Sequence, residues 1–259
     1  MFKNINKIKN KWLKNIVKTI TIFFSIIIVL YIGVVIYRIP AAVERQRAEK
    51  IVPQIHNQKL TMDDVMGAHL PPEPDSVLNN STLEGIDVNR NGIRDDAELA
   101  IFKLYPDSAR IRSGALQYAK AMQMHLRKNL TNDDIFIAIL QEKSRGYSCF
   151  SDAFPSKITK EMWERVDEII EIRKKASKFD ENSLEYSNEV WGDPEVAAVQ
   201  KIGTEEDRFF DARNEEIQNL VFNTDQRKQK EDKNYKKYSI TYRDIEGPYC
   251  DIDPLILPN

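Results

Sequence analysis

The chain has 259 residues, of which 42% are hydrophobic and 30% are charged, so it can bury one sizeable core and still carry additional segments. The net charge is −2, but residues 1–18 contain six lysines and no acidic residue, which leaves the rest of the chain net acidic. Because binding to nucleic acid requires a basic surface, the composition argues against nucleic acid as a partner.

Residues 19–37 form an uncharged, strongly apolar run. As a helix, a run of this length covers about 28 Å, close to the thickness of a bilayer's hydrocarbon core. A buried core helix does not need apolar residues on every face. A cleaved signal peptide has a shorter apolar region and ends in a small-residue cleavage site, which residues 37–42 do not provide. We therefore predict an uncleaved signal anchor that inserts into the lipid bilayer through residues 19–37.

The lysines before this segment predict its orientation. Basic residues are retained on the cytoplasmic side, whereas the other flank mixes Arg45 and Arg47 with Glu44 and Glu49. We expect residues 1–18 to be a cytoplasmic basic tail of a single-pass protein of the cell (inner) membrane. Everything after residue 37 is then periplasmic or extracellular.

Residues 38–85 are predicted to be a short juxtamembrane helix followed by a tether. The helix covers residues 41–52, and Pro53 together with later prolines and glycine is expected to end any long helix. His56 and His69 lie in this stretch, where a lone histidine is normally solvated.

The segment 87–98 is the one stretch whose residue types and spacing indicate a specific chemistry. Oxygen-bearing side chains stand at loop positions 1, 3, 5, 9 and 12, and Gly92 at position 6 permits a sharp backbone turn. Such an oxygen set suits Ca²⁺, whereas Mg²⁺ prefers a smaller octahedron and Zn²⁺ prefers sulfur or imidazole. The predicted ligands are the side chains of Asp87, Asn89, Asn91, Asp95 and Glu98 and the backbone carbonyl of Ile93.

This stretch resembles the calcium loop of EF-hand proteins and, more closely, the loops of dockerin and thrombospondin type 3 repeats. The resemblance covers residues 87–102 and includes the start of an exit helix, but no entering helix and no second loop is evident. Position 8, usually aliphatic, is Arg94, which disfavours the strand pairing that joins two hands. The resemblance implies a half-hand with a weak, structural calcium site, with Kd on the order of 10⁻⁴ to 10⁻³ M. The alternative is a turn rich in Asn and Asp that binds no ion.

The remainder, residues 86–259, is predicted to be an irregular helical bundle, which makes the chain all-α. Capping residues and apolar periodicity predict the helix positions. The predicted helices run from Asp96 to Tyr105, from Ser108 past Leu126, from Ile135 to Lys143 with an end near Gly146, from Thr159, from Pro194 to Ile202, from Thr204 and from Asn223.

Several side chains in this domain have predicted environments. We expect the helix over residues 135–143 to be central in the core, Trp163 to be packed and His125 to be exposed. Tyr238, Ile240 and Tyr242 alternate like a strand. The tail, residues 254–258, is expected to be extended.

Cys149 and Cys250 both follow the membrane segment, where oxidation is permitted. We predict a disulfide between them, which would close a loop of about 100 residues and stabilise the fold by roughly 4–5 kcal/mol in the chain-entropy treatment. Two buried free thiols are the alternative. Glycines flank both cysteines and indicate loops.

These features favour a membrane-anchored, extracytoplasmic calcium-binding protein without enzymatic activity, acting through an envelope protein partner. The alternative is an envelope enzyme with an unrecognised active site in the helical domain. One helix carries the acidic residues Glu161, Glu164, Asp167 and Glu168. At this spacing they are expected to form a charged surface, and the sequence contains no nucleophile motif, phosphate-binding loop or histidine cluster. A calcium-responsive envelope sensor is a third possibility.

Overall fold

The structure is a computed structural model that describes residues 2–127, 130–176, 182, 184–238 and 247–258. Within these residues the protein is all-α, with ten α-helices, one short 3₁₀ helix and no strand. The predicted fold class is confirmed. The chain divides into two compact units, residues 1–53 and residues 54–259.

The helices are numbered in chain order. They are α1 (Phe2–Asn57), α2 (Met62–Met66), α3 (Ser76–Asn79), α4 (Asp95–Leu104), α5 (Ala109–Met124), α6 (Asp133–Ala153), α7 (Lys160–Ala176), α8 (Leu184–Trp191), α9 (Pro194–Val221) and α10 (Asp225–Lys237), followed by the 3₁₀ helix Pro254–Ile256.

Helix α1 contains the predicted membrane segment. Its portion Ile16–Asn57 is long and apolar enough to cross a membrane, with a mean hydropathy of 2.8 in its most apolar window and no buried residue in that window. The expected helix end at Pro53 is wrong, because α1 continues to Asn57. A proline removes one backbone hydrogen bond, but it does not prevent a final turn after it.

The helical domain is built around α5, whose residues are nearly all buried. Helices α5 and α6 approach closely at two glycines: a Cβ added at Gly114 would lie 2.6 Å from the Cα of Phe150, and one at Gly146 would lie 2.8 Å from the Cα of Tyr118. The predicted end of α6 near Gly146 is therefore wrong. This glycine lies within α6, where it allows the backbone of α5 to approach closely. Helix α5, rather than the segment 135–143, is the central helix.

A smaller apolar cluster joins α7 to α9 through Val166, Ile169, Val196 and Val199. Two helices were predicted where α9 is continuous, because the Thr204 hydroxyl donates to the Gln200 carbonyl (2.9 Å) within the helix instead of capping a new one. Trp163 is 53% exposed, so the expectation that it is packed is wrong.

His125 follows the last residue of α5 and is fully buried, contrary to the predicted exposure. Its ring lies among Phe136, Phe222 and Tyr235, whose ring centres are 5.6–6.4 Å from that of His125. Among the described residues neither ring nitrogen of His125 has a hydrogen-bond partner.

The structure describes only part of the predicted strand at residues 238–242, and it describes the predicted extended tail at residues 254–258. Tyr238 is buried as the C-cap of α10, whereas Ile240 and Tyr242 lie outside the described residues. The tail contains a 3₁₀ turn, Pro254–Ile256, in place of a fully extended segment.

Cys149 and Cys250 lie at disulfide distance, with the sulfurs 2.10 Å apart and the Cα atoms 5.0 Å apart. Cys149 lies inside α6, so the predicted loop around it is wrong, whereas residues 247–250 are irregular as expected. The bond holds the C-terminal segment against α6.

Next to this bond lies a buried acidic cluster, formed by Glu142 and Asp251, whose charges are paired. Glu142 contacts Arg145 (2.6 Å), Lys59 (3.4 Å) and His56 (2.7 Å). Asp251 contacts Arg145 and Lys59, each at 3.3 Å. His56 is therefore part of an ion-pair cluster and not a freely solvated side chain.

Candidate functional site

The segment 87–98 covers the last part of the connection between α3 and α4 and the first turn of α4, and its first half forms a tight turn. The carboxylate of Asp87 accepts a hydrogen bond from the backbone N–H of Gly92 (2.9 Å). Gly92 has a φ of 90° and Arg90 a φ of 59°. The left-handed conformation at position 92 favours glycine, as the sequence predicted.

Two asparagines continue the turn. The side-chain oxygen of Asn89 accepts from the N–H of Asn91 (3.4 Å), and that of Asn91 accepts from the N–H of Ile93 (2.9 Å). Each amide oxygen keeps a second lone pair after accepting one hydrogen bond. The turn thus positions two neutral oxygens on the loop.

Glu98 lies in the first turn of α4 and faces back toward the loop. Its carboxylate accepts hydrogen bonds from the side-chain nitrogens of Asn89 (3.0 Å) and Asn91 (2.8 Å), and the residue is only 1% exposed. The structure therefore brings predicted ligand positions 3, 5 and 12 into contact.

Two carboxylate oxygens at the remaining acidic positions are buried without a partner. Asp95 is fully buried, and one of its oxygens accepts from the N–H of Val88 (3.0 Å). Within the described part of the chain, its other oxygen, Oδ2, and Oδ1 of Asp87 have no hydrogen-bond partner. Such atoms are rare in folded proteins, because an unsatisfied buried polar group costs about 1–3 kcal/mol.

Burial disfavours the charged form of all three acids. It raises the pKa of Glu98 to about 7, although the hydrogen bonds from Asn89 and Asn91 oppose this effect. The pKa of Asp87 and that of Asp95 are also raised, chiefly by burial. Among the described residues none of the three forms an ion pair within 4.0 Å.

The three carboxylates are close in sequence, but no metal cluster is formed as they stand. No group of three or more His, Cys, Asp or Glu side chains in the described residues has the arrangement of a metal site. The amide nitrogens of Asn89 and Asn91 occupy the space in front of Glu98. The loop therefore has the turn and the oxygen atoms, but its acidic side chains do not converge on one centre.

The second half of the loop docks onto the helical domain. Ile93, whose carbonyl is a predicted ligand, has its side chain fully buried in the main core. Arg94 is also fully buried and donates to the carbonyls of Val221 (2.9 Å) and Leu220 (2.7 Å), at the C-terminal end of α9. Arg94 thus attaches the loop to the C-terminal end of α9.

Residues outside the loop that the sequence analysis did not predict also hold it in place. The Asn79 side-chain oxygen accepts from the N–H of Ile86 (2.9 Å), and the carbonyl of His69 accepts from the Asn89 side chain (3.2 Å). Arg227 of α10 is buried and donates to the carbonyls of Asn79, Thr82 and Leu83. Asn79 belongs to a short turn motif in the sequence, but no local signal indicates that its carbonyl accepts a hydrogen bond from Arg227, 148 residues later.

The acidic residues of α7 do not form a catalytic pair in the structure. Glu161, Glu164, Asp167 and Glu168 are all exposed. Glu164 pairs with Lys160 (3.2 Å) and Glu168 with Arg165 (2.6 Å), which are ordinary contacts of a solvated helix.

No protein-family model, curated protein or solved structure matches this chain.

Proposed function

We propose that the protein is a membrane-anchored, extracytoplasmic helical protein in which residues 87–98 bind one Ca²⁺ ion with a structural role. The observation that carries the proposal is a pair of buried carboxylate oxygens, one of Asp87 and one of Asp95, that have no hydrogen-bond partner among the described residues and belong to the same loop as the enclosed carboxylate of Glu98. A cation is the group that such a set lacks, and oxygen atoms alone favour Ca²⁺ over Zn²⁺.

The ligands would be the carboxylates of Asp87, Asp95 and Glu98, the amide oxygens of Asn89 and Asn91, and the carbonyl of Ile93. Binding requires Glu98 to exchange its hydrogen bonds with the two amides for the ion. This exchange and the absence of a paired hand support weak affinity, on the order of 10⁻⁴ to 10⁻³ M.

The segments that the loop connects support a structural role for the ion. Arg94 attaches it to the end of α9, and Arg227 attaches the preceding segment to α10. An ion that neutralises the loop would stabilise the junction between the tether and the helical domain. The six lysines before residue 19 support an orientation with the amino terminus in the cytoplasm and this domain outside it, where Ca²⁺ is available and a disulfide persists.

Calorimetric titration of the full-length, detergent-solubilised protein with CaCl₂ tests the proposal. We expect one site per chain with sub-millimolar to millimolar affinity, lost in Asp87→Asn and in Glu98→Gln. Asp107→Asn is the matched control, because this exposed acid lies outside the loop. Wild-type protein that takes up no calcium at millimolar concentrations would show that the loop is a turn without an ion.

A further inference from the structure

A cavity that shares no residue with the calcium loop lies between the C-terminal end of α6 and the middle of α9. Its volume is about 700 Å³, which is within the range of sites for small organic molecules. The lining combines aromatic side chains with carboxylates.

Four aromatic side chains line this cavity. Tyr147 and Phe210 have ring centres 5.0 Å apart, and Phe154 and Phe209 have ring centres 5.6 Å apart, both pairs edge to face. Phe209 is 52% exposed, so part of its ring is accessible, and Arg213 lies 5.4 Å from the centre of that ring. These rings offer apolar surface and negatively polarised faces, which attract cations.

Acidic residues surround the aromatic rings. Asp152, Glu205 and Asp207 line the cavity, and in the part of the chain that the structure describes none of them forms an ion pair within 4.0 Å. Glu206 is used locally, because it accepts a hydrogen bond from the Ser156 hydroxyl (2.9 Å). Of the described residues in the lining, Lys157 is the basic one.

The negative field also affects the aromatic part of the cavity. The pKa of Tyr147 is raised by burial and by the negative charges of Asp211 and Asp207. A ligand that is anionic at neutral pH would meet repulsion here, whereas the acidic side chains would attract a cationic ligand.

We propose that this cavity binds a small organic cation, an ammonium group that carries an aromatic or aliphatic body. The ammonium group would lie between the acidic side chains of Glu205 and Asp207 and the accessible aromatic faces, and the apolar body would pack on Phe154 and Phe210. Cation–π attraction and unpaired carboxylates together select positive charge, and the ring pairs select an apolar body.

Ligand-observed NMR on the full-length protein in lipid nanodiscs tests this site, with benzyltrimethylammonium as the probe and benzenesulfonate as the anionic comparison. We expect saturable binding of the cation and none of the anion. Phe209→Ala and the double variant Glu205→Gln/Asp207→Asn should each weaken cation binding by about 5-fold or more. These side chains are exposed, so the substitutions should leave the fold intact, as circular dichroism would verify.

Glu189→Gln on α8 is the matched control, since it removes one exposed acid outside the cavity and should leave binding unchanged. The proposal is overturned if the cation does not bind saturably, if benzenesulfonate binds equally well, or if both cavity variants bind as the wild type does. Each of these results is independent of calcium uptake by the loop.

Discussion

Glu98 in the loop and Glu142 in α6 are both almost completely buried, 1% and 6% exposed, but their surroundings differ. Among the described residues, the basic side chains of His56, Lys59 and Arg145 contact Glu142, whereas the contacts of the Glu98 carboxylate are the neutral amides of Asn89 and Asn91. Burial alone would raise the pKa of Glu142, but the His56 hydrogen bond and the neighbouring positive charges outweigh it and lower that pKa. For Glu98, burial dominates and the pKa is raised to about 7.

The difference shows where each region obtains its compensating charge. The cluster around Glu142 is complete within the chain, since Lys59 and Arg145 supply positive charge and His56 contributes a hydrogen bond. The loop is incomplete, and the proposed Ca²⁺ would supply the charge that it lacks. The two glutamates therefore respond differently to the same substitution.

Glu142→Gln should destabilise the protein by about 3 kcal/mol, because it removes the acid nearest to the buried Arg145 and leaves Asp251 to balance both Arg145 and Lys59. Urea unfolding at pH 7.5 measures the change, which should be the same with and without calcium. Glu231→Gln is the control, since it breaks the less buried pair with Lys143 (3.1 Å) and should cost less. An equal loss in the two variants would mean that the cluster around Glu142 is not special.

His125 provides a pH-dependent comparison with these acids, because it is buried and has no acidic partner in the part of the chain that the structure describes. Burial, with a smaller contribution from Lys143 and Lys230, lowers its pKa to about 3. The proton therefore binds the unfolded state preferentially. Stability is fully present above pH 6.5 and is lost as the pH falls toward 3.

Between pH 7 and pH 4, the wild type should lose about 2–3 kcal/mol more than His125→Phe, as measured by urea unfolding at each pH. At pH 7 the variant should be at least as stable, because the ring nitrogens have no partners to lose among the described residues. Identical pH profiles for the two proteins would contradict the burial of a neutral His125.

Glu98→Gln should behave in the opposite way to Glu142→Gln. Because the folded-state pKa of Glu98 is raised above 4.5, its negative charge destabilises the calcium-free protein fully above pH 7 and not below pH 4.5. In EGTA at pH 8 we expect Glu98→Gln to match the wild type or to exceed it by about 1 kcal/mol. A loss comparable to that of Glu142→Gln would show that the loop is already complete without an ion.

Local signals predicted the helix starts well and tertiary contacts poorly. Ser108, Asn132 and Thr224 each accept the backbone hydrogen bond expected of a cap, which depends only on neighbouring residues. Gly146 looks like a helix end in the sequence, but it lies within α6. A glycine is needed there because the backbone of α5 at Tyr118 approaches too closely for a side chain. The burial of His125 likewise depends on aromatic residues far along the chain.

The candidate site divides in the same way. The turn at Gly92 follows from short-range chemistry and was predicted from the spacing. The backbone hydrogen bonds of Asn89 and Asn91 are also local, but the spacing predicted these side chains as calcium ligands. The attachment of Arg94 to the end of α9 depends on a helix more than 100 residues later, and sequence reasoning treated Arg94 only as a departure from the pattern. The direction of the Glu98 carboxylate also depends on the side-chain nitrogens of Asn89 and Asn91, from which it accepts hydrogen bonds.

The most direct test of the account is the change in unfolding free energy when 10 mM CaCl₂ replaces EGTA at pH 7.5. With an affinity of 10⁻⁴ to 10⁻³ M, the wild type should gain about 1.4–2.7 kcal/mol, and MgCl₂ should produce a smaller gain. Glu98→Gln should gain nothing, whereas Glu142→Gln should gain as much as the wild type. No gain in the wild type, or an equal gain in Glu98→Gln, would contradict a calcium site in residues 87–98.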